Sequence, residues 1–327
     1  NLRKRRLMQF KIQKGNGLKG EIIIPGDKSI SHRAIMLASL ADGRSEISGF
    51  LEGEDCLATI EVFQKMGVSI SKQKENIIVE GKGLQGLEGP SSSLDFRNSG
   101  TSVRLCSGVL AAQEFPSTLI GDSSLSSRPM ARITEPLGLM GANISSTKEG
   151  TLPIQIEPVD ILKSIKYSTP VASAQVKSCL LFAGLYSEGI TEIEEKVITR
   201  DHTERMFEQF GIPIEVSQFK AAKLIKLNKV EGIRSANIDV CGDFSSASFF
   251  ILAALITPNS ELLLRNIGVN PTRIGFLHAL RHMGANIELQ NETDSFEPTA
   301  DILVRTSNLK GITLNTNLVA NMIDEMP

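Results

Sequence analysis

The stretch Phe63-Gln-Lys-Met-Gly-Val-Ser-Ile70 recurs three more times along the chain, in closely similar form, at residues 137–144, 207–214 and 280–287. Each copy carries a glycine at its fifth position, and successive glycines lie 74, 70 and 73 residues apart. The four glycines are Gly67, Gly141, Gly211 and Gly284. An amphipathic run, a glycine and an extended run are typical of a helix that ends at a C-cap glycine before a strand. The spacing therefore predicts four copies of one structural unit.

The rest of each unit repeats as well. Helices rich in small and apolar residues are predicted at 33–40, 103–112, 176–185 and 247–256. Strands follow at 45–48, 117–120, 190–193 and 261–264, before the glycine-capped helix, and again at 77–80, 154–156, 223–227 and 302–305. The unit reads helix, strand, helix, strand, strand, which predicts an α/β fold with mixed sheets rather than a doubly wound one. Residues 311–314 and 321–327 resemble the start of a fifth helix, so we expect a further segment beyond Pro327.

Composition excludes several classes of protein. The chain has 327 residues, enough for about two domains. With 35 basic and 37 acidic residues, no Trp and two Tyr, it is not typical of a general nucleic-acid binder. No apolar run reaches the roughly 18 residues that a membrane helix needs. The four cysteines lie at least 50 residues apart, which favours reduced thiols and a cytoplasmic location. The basic segment 1–8 is left out of the fold prediction.

The first helix of each unit begins with hydroxyl, small and basic residues, at 26–33, 98–104, 172–177 and 243–248. Helix N-termini bind phosphate and carboxylate groups because their N–H groups and positive dipole end are available. The alternative is that these residues are ordinary N-caps, which prefer the same side chains, and for any single start this alternative is favoured. Several such starts together, with basic side chains nearby, favour an anion site. Those basic residues are Lys28, Arg33, Arg104 and Lys177.

Motifs for cofactors and metals are not convincing. Residues 15–20 and 81–86 match G-x-G-x-x-G, but neither match is predicted to open a helix, as a dinucleotide site requires. The run 26–29 differs from a phosphate-binding loop because Asp27 separates the glycine from Lys28. His278 and His282 are four residues apart but lack a third ligand. We therefore expect no cofactor and no metal.

Six motifs together closely resemble the EPSP synthases, the 3-phosphoshikimate 1-carboxyvinyltransferases of the enolpyruvyl transferase family. Three are Pro25-Gly-Asp-Lys-Ser-Ile-Ser-His-Arg33, Asn98-Ser-Gly-Thr-Ser-Val-Arg104 and Ser127-Arg-Pro-Met130. Three more resemble the class II branch: Ser173-Ala-Gln-Val-Lys177, Thr199-Arg-Asp-His-Thr-Glu204 and Asn270-Pro-Thr-Arg273. The resemblance extends over residues 18–327. It implies a two-domain inverted α/β barrel-like fold built from βαβαββ-type units, six in all.

The resemblance and the repeats together predict the domains. Residues 27–238 are expected to form a three-repeat domain. Residues 1–26 with 239–327 are expected to form the second domain, with its last part missing. The crossings near Gly26 and at 239–242 are expected to act as hinges of a cleft that closes over the substrates. The family's later Lys, Glu and two Arg sites would lie beyond Pro327, and without them we expect this chain to be inactive.

The resemblance also implies the reaction. The enolpyruvyl group of phosphoenolpyruvate passes to the 5-hydroxyl of shikimate 3-phosphate by addition and elimination, with release of phosphate. The residues implied for shikimate 3-phosphate are Lys28, Ser29, Arg33, Ser173, Ala174, Gln175, Arg200 and Asp324. Those implied for phosphoenolpyruvate are Lys28, Asn98, Gly100, Thr101, Arg128 and Gln175. Asp324 would be the proton acceptor and Lys28 a proton carrier. Ala174 departs from the pattern, because many members have Ser there.

Glyphosate mimics phosphoenolpyruvate in this family but is a longer molecule. Insensitive members often carry Ala at the position of Gly100. We also expect a monomer that binds small anionic substrates and neither nucleic acid nor membrane.

The sequence leaves two alternative functions. The related UDP-N-acetylglucosamine enolpyruvyl transferase usually has Asn after the motif lysine and a loop cysteine. Here Ser29 follows Lys28, and residues 123–127 contain no cysteine. A non-catalytic repeat scaffold is the second alternative, but it would not require Lys28, Arg33, Arg128 and Arg200 to converge.

Overall fold

The computed structural model describes residue 11 and residues 15–219, 222–314 and 316–326. The basic segment 1–8 and Pro327 lie outside the described residues. Within the described ranges, the predicted unit of helix, strand, helix, strand and strand occurs four times. The repeat prediction is therefore confirmed.

An additional strand precedes each unit along the chain. The first group is β1 (Lys19–Ile23), α1 (Lys28–Leu40), β2 (Asp42–Ser48), α2 (Glu54–Lys65), β3 (Ser69–Gln73) and β4 (Asn76–Lys82). The second is β5 (Leu94–Asp95), α3 (Gly100–Leu110), β6 (Ser117–Ile120), α4 (Ser123–Ser126), α5 (Ala131–Leu139), β7 (Asn143–Ser145) and β8 (Ile154–Glu157). The third is β9 (Lys166–Ser168), α6 (Ala174–Gly184), β10 (Ile190–Glu195), α7 (His202–Gln209), β11 (Ile214–Phe219) and β12 (Ala222–Asn228). The fourth is β13 (Ile238–Asp239), α8 (Phe244–Ile256), β14 (Glu261–Gly268), α9 (Gly275–His282), β15 (Asn286–Thr293) and β16 (Thr299–Arg305).

The four repeat glycines end α2, α5, α7 and α9 in the left-handed conformation. Their φ values are 83°, 88°, 74° and 90° in chain order. Glycine adopts this conformation readily because it has no Cβ. The residue after each glycine donates its N–H to the carbonyl five positions earlier, as Val68 does to Phe63 at 3.1 Å. This is the Schellman closure, and it turns each helix into the strand that follows.

Each unit contributes three strands to a four-stranded sheet, and all four sheets have the same plan. The added strand runs parallel to the unit's first strand, and the unit's last strand lies antiparallel between the first and the middle ones. The four orders are β13-β2-β4-β3, β5-β6-β8-β7, β9-β10-β12-β11 and β1-β14-β16-β15. The mixed α/β architecture predicted from the repeats is therefore confirmed.

The first and fourth sheets exchange their added strands. β1 pairs with β14 of the fourth unit, and β13 pairs with β2 of the first. The chain therefore crosses twice between these sheets, and the two crossings are hydrogen-bonded to each other. The Asp27 N–H donates to the Cys241 carbonyl at 2.8 Å, and the Asp243 N–H donates to the Pro25 carbonyl at 2.9 Å. The crossings lie where hinges are predicted; hinge motion itself stays a prediction.

Two separate hydrophobic clusters fill the molecule. The larger contains buried residues between positions 30 and 241, and the smaller contains Ile24 and residues between 244 and 304. In the larger cluster, every residue of α1 from Ile30 to Leu40 is buried, as expected for a helix that is covered on all sides. Small residues let these helices approach closely, since a Cβ on Gly108 would overlap the Cys179 carbonyl of α6.

The helix starts are built by N-cap side chains. Asp27, Ser99, Ser173 and Asp243 each accept a hydrogen bond from the N–H three residues further on. The N–H groups in the first turn of α1, α3, α6 and α8 have no partner within their own helix. Most of the predicted site residues lie at these helix starts.

Where the entry to a fifth helix is expected, the described residues form short helical segments. Residues 311–314 form neither helix nor strand, and they are followed by the short α10 (Thr316–Val319) and a 3-10 helix (Ile323–Glu325). The Asn321 carbonyl accepts from the Gly275 N–H at 3.3 Å, so this region is tied to the start of α9. Within the described ranges, no helix has both the length and the apolar character needed to cross a membrane.

Candidate active site

Lys28 is the first residue of α1 and lies directly after the first crossing. Its Nζ is 3.4 Å from Asp55 Oδ2, and the side chain remains 49% exposed. Its backbone N–H donates to Asp243 Oδ2 at 3.3 Å, so the start of α8 lies beside the start of α1. Ser29 is half-buried next to it. The start of α1 therefore presents an accessible ammonium group.

Arg33 is deeper in the molecule than its neighbours in the motif. The guanidinium donates from Nε to Thr203 Oγ1 at 2.7 Å, from Nη2 to Ser178 Oγ at 2.8 Å and from Nη1 to the Ser29 carbonyl at 2.9 Å. Burial lowers the pKa of Arg33 to about 10. Arg33 therefore joins α1 to α6 and α7 and holds the carbonyl of Ser29 in place.

The start of α3 is surrounded by guanidinium groups. Arg128 donates from Nη2 to Asn98 Oδ1 at 2.5 Å, and Asn98 donates to Asp122 at 2.7 Å. A Cβ built on Gly100 would lie 2.9 Å from Arg128 Nη1 and 3.1 Å from Arg104 Nη1. The missing side chain of Gly100 thus leaves room for two guanidinium groups at a helix N-terminus, where an anion is attracted.

Gln175 connects the start of α6 to the start of α3. Its Nε2 donates to Thr101 Oγ1 at 3.1 Å, and its Oε1 accepts from Arg104 Nη1 at 2.7 Å. Ser173 caps the helix and Ala174 is its first residue. The residues predicted for the two substrates are therefore brought into contact at this point.

Arg200 and Asp324 form an ion pair across a cleft of about 680 Å³. The cleft is lined on one side by Ser173, Ala174 and Gln175 and on the other by the chain around Ile323. Burial alone would raise the pKa of Asp324, but Arg200, Arg273 and Lys28 outweigh it and hold that pKa below its usual range. Asp324 is therefore a carboxylate at neutral pH.

This geometry accompanies a match along almost the whole chain. The profile of the family described as EPSP synthase (3-phosphoshikimate 1-carboxyvinyltransferase) matches residues 12–327. The chain belongs to the EPSP synthase family. The predicted family and fold are confirmed.

Individual relatives agree with the family match. A 3-phosphoshikimate 1-carboxyvinyltransferase of Hydrogenovibrio crunogenus is 49% identical over 98% of this chain and 73% of its own length. One of Bacillus cereus (strain B4264) is 50% identical over 95% of this chain and 72% of its own length. The solved EPSP synthase of Acinetobacter baumannii superposes with a TM-score of 0.87 at 47% identity and covers 95% of this chain and 70% of that one.

Arg104 and Arg132 are not among the site residues that the resemblance implies, although Arg104 is one of the basic residues near the helix starts. Arg104 is buried, and burial lowers its pKa to about 10, with further contributions from the positive charges of Arg132 and Arg128. Three arginines so close repel one another, which indicates a place prepared for an anion. The sequence signal was the second arginine in Arg128-Pro-Met-Ala-Arg132, four residues after the first.

Lys177 corrects one expectation. The sequence predicts that Lys177, with other basic residues, attracts an anion to the helix starts. Its Nζ is instead fully buried, 3.0 Å from Glu195 Oε2 and 2.9 Å from Glu204 Oε1. Lys177 is the fourth residue of α6, and its side chain leaves the helix toward the protein interior rather than toward the cleft.

Proposed function

We propose that this chain transfers the enolpyruvyl group of phosphoenolpyruvate to the 5-hydroxyl of shikimate 3-phosphate, as the names of its relatives describe. The observation that carries the proposal is the contact of Gln175 with both Thr101 and Arg104, beside the Arg200–Asp324 pair. The starts of α3 and α6, which attract anions, therefore lie next to the Asp324 carboxylate. A transferase that joins two phosphorylated substrates requires this combination.

Shikimate 3-phosphate is proposed to occupy the cleft at the start of α6. Ser173, Ala174 and Gln175 present a helix N-terminus there, and Arg200 supplies a charge-assisted donor. Ala174 contributes only its backbone, because it lacks the hydroxyl that many family members have. Ser29 and Arg33 complete this set from α1, where the two are linked by a hydrogen bond.

Phosphoenolpyruvate is proposed to bind at the start of α3. Gly100 and Thr101 offer backbone N–H groups, and Arg128 offers a guanidinium that Asn98 holds in orientation. The positive charges of Arg104 and Arg128 suit the phosphate and carboxylate of this substrate. Gln175 and Lys28 are shared with the neighbouring substrate.

The chemistry follows from two proton transfers. Asp324, a carboxylate at neutral pH, accepts the proton of the 5-hydroxyl as its oxygen bonds to the enol carbon. Lys28 carries a proton to the methylene carbon in the same step. The tetrahedral intermediate then loses phosphate as a proton of its new methyl group returns to Lys28, which forms the carbon–carbon double bond of the enol ether product. Arg128 and Arg200 stabilise the charges of the two substrates throughout.

The domain boundaries stay a proposal too: residues 27–238 as one domain and 1–26 with 239–327 as the other. Support comes from the two hydrophobic clusters and from the strand exchange between the first and fourth sheets. A cytoplasmic monomer is proposed as well. Four buried free cysteines support the reducing location.

The direct test is phosphate release by the full-length protein. We expect release only when shikimate 3-phosphate and phosphoenolpyruvate are both present, with one enolpyruvyl product formed per phosphate. UDP-N-acetylglucosamine serves as the competing acceptor. Release with that acceptor and none with shikimate 3-phosphate would refute the proposal.

A further inference from the structure

Arg273 lies between the two chain crossings, and the proposed mechanism uses it only as one of the charges that lower the pKa of Asp324. Its Nη1 is 3.7 Å from Asp27 Oδ2 and its Nη2 is 3.8 Å from Asp243 Oδ1. The side chains of Arg273 and Asp27 are 5% exposed, and that of Asp243 is 12% exposed. One guanidinium thus faces two buried carboxylates at nearly equal distances.

The two carboxylates have matching structural roles. Asp27 Oδ1 caps α1 through the Ile30 N–H, and Asp243 Oδ1 caps α8 through the Ser246 N–H, both at 2.9 Å. Asp243 also accepts the Lys28 N–H. Two carboxylates this deep would repel each other without a positive charge between them. Arg273 supplies such a charge where the two helix starts lie side by side.

Arg273 is also linked to the chain segment that carries Asp324. Its Nη2 donates to Ser245 Oγ at 2.8 Å, and Ser245 Oγ donates to Glu325 Oε1 at 2.5 Å. Glu325 follows Asp324 in the same 3-10 helix. A single side chain is thus linked to the helix start that carries Lys28 and to the turn that carries Asp324.

We infer that Arg273 is a positioning residue that sets the location of Lys28 relative to Asp324 by holding the starts of α1 and α8 together. This inference rests on the proposed function, because it concerns the geometry of the two proposed proton-transfer groups. Arg273 itself contacts neither the Lys28 Nζ nor the Asp324 carboxylate among the contacts of the described residues.

The test compares Arg273→Met, Arg273→Lys, Asp27→Asn and the double variant Arg273→Met with Asp27→Asn in the full-length protein. A displacement of about 1 Å at a site costs roughly 10²-fold in rate, so Arg273→Met is expected to lower kcat by about that factor. The KM for shikimate 3-phosphate should change less than kcat does, because the helix start of α6 keeps its contacts while Lys28 and Asp324 shift relative to each other. Arg273→Lys keeps a positive charge and should lie within about tenfold of the parent kcat.

The double variant separates charge balance from simple loss of packing. Asn remains a good N-cap, so Asp27→Asn removes the repulsion while keeping the cap of α1. We expect the kcat of the double variant to be at least about tenfold higher than that of Arg273→Met. Arg305→Met is the matched control, since Arg305 also faces two carboxylates, Glu261 and Glu288, but is 35% exposed and far along β16. Its kcat should equal that of the parent.

Three outcomes would overturn the inference. One is a kcat for Arg273→Met within about threefold of the parent. The second is a double variant no faster than Arg273→Met when both are folded at the assay temperature. If Arg273→Met does not fold, Arg273→Lys and the double variant decide, and a kcat that is about 10²-fold below the parent in both overturns it.

A parent protein that releases no phosphate would refute the proposed function instead. The thermal unfolding midpoints of the same four proteins then test the contact alone. Additive shifts for Arg273→Met and Asp27→Asn would mean that the two side chains are not coupled, and would overturn the inference.

Discussion

Replacing Lys177 by Met should destabilise the part of the molecule around α6 by about 3–5 kcal/mol. Lys177, Glu195 and Glu204 have side chains that are 0%, 1% and 3% exposed, and both Nζ–carboxylate distances are close to 3 Å. At that distance each attraction is about 5 kcal/mol for an effective dielectric constant near 20. Desolvation of the three groups offsets much of this sum. Met fills similar space but removes the positive charge that Glu195 pairs with, and leaves Glu204 with the more distant Lys223 Nζ at 3.4 Å.

The assay is urea unfolding followed by circular dichroism, with Lys226→Met as the matched control. Lys226 pairs with Glu192 at 3.6 Å on the neighbouring strands, but the two side chains are 39% and 24% exposed. Pairs of that kind contribute about 0–1 kcal/mol. Equal losses of unfolding free energy in the two variants would refute the argument from burial.

The pH dependence of the same variant gives a second readout. Burial already raises the pKa of Glu195, and Lys177 offsets only part of that effect. Without Lys177 the pKa of Glu195 should rise further. A carboxyl with a raised folded-state pKa binds protons more readily in the folded state, so the deficit of Lys177→Met should shrink as the pH falls below that pKa. A deficit that is constant or grows on acidification would contradict this.

Four further predictions concern the site. Lys28→Ala should lower turnover at least about 10²-fold, since one preorganised charge contact contributes about 3 kcal/mol to the transition state; near-normal turnover would remove Lys28 from the site. Gly100→Ala should raise the inhibition constant of glyphosate about 10–200-fold more than it raises the KM of phosphoenolpyruvate, because the methyl group displaces two guanidinium groups and crowds the longer ligand. Equal shifts of the two constants would show that Gly100 does not discriminate between the two ligands. Arg200→Met removes the partner that lowers the pKa of Asp324, so the acidic limb of the kcat/KM profile should move to higher pH, and an unmoved limb would exclude Asp324 as the proton acceptor. Shikimate 3-phosphate alone should reduce the radius of gyration measured by X-ray scattering, whereas an unchanged radius would argue against closure around that substrate.

Much of the fold could be predicted because the repeat is local. The segment around Gly67 and its three copies each contain a helix end, a glycine with positive φ and the start of a strand within eight residues. A pattern this short can be recognised in a single sequence. Shorter elements could not be found in that way. β5, β9 and β13 have two or three residues each, too few for an alternating pattern, and they are strands only because a neighbouring strand of the same sheet, β6, β10 or β2, supplies the partner.

For the site, the sequence indicates which residue types are present more reliably than it indicates where their side chains point. Lys28 and Lys177 both occur at helix starts among hydroxyl residues, but one is half-exposed and the other is buried between two carboxylates. The difference arises from where each side chain leaves its helix relative to the packed core, and that is set by tertiary contacts. The hydrogen bonds of Gln175 to Thr101 and Arg104, 74 and 71 residues away, were likewise beyond reach of local patterns.

The exchange of β1 and β13 has a consequence for synthesis on the ribosome. β1 emerges some 242 residues before its partner β14, at the separation of Leu18 from Ser260. The edge of β2 likewise stays unpaired until β13 is synthesised, about 191 residues later. The second and third sheets, whose strands are all local, can close while both of those edges are still unpaired. Such edges invite mispairing, so the nascent chain should be most prone to aggregate, and most dependent on chaperones, between the emergence of β4 and that of β14.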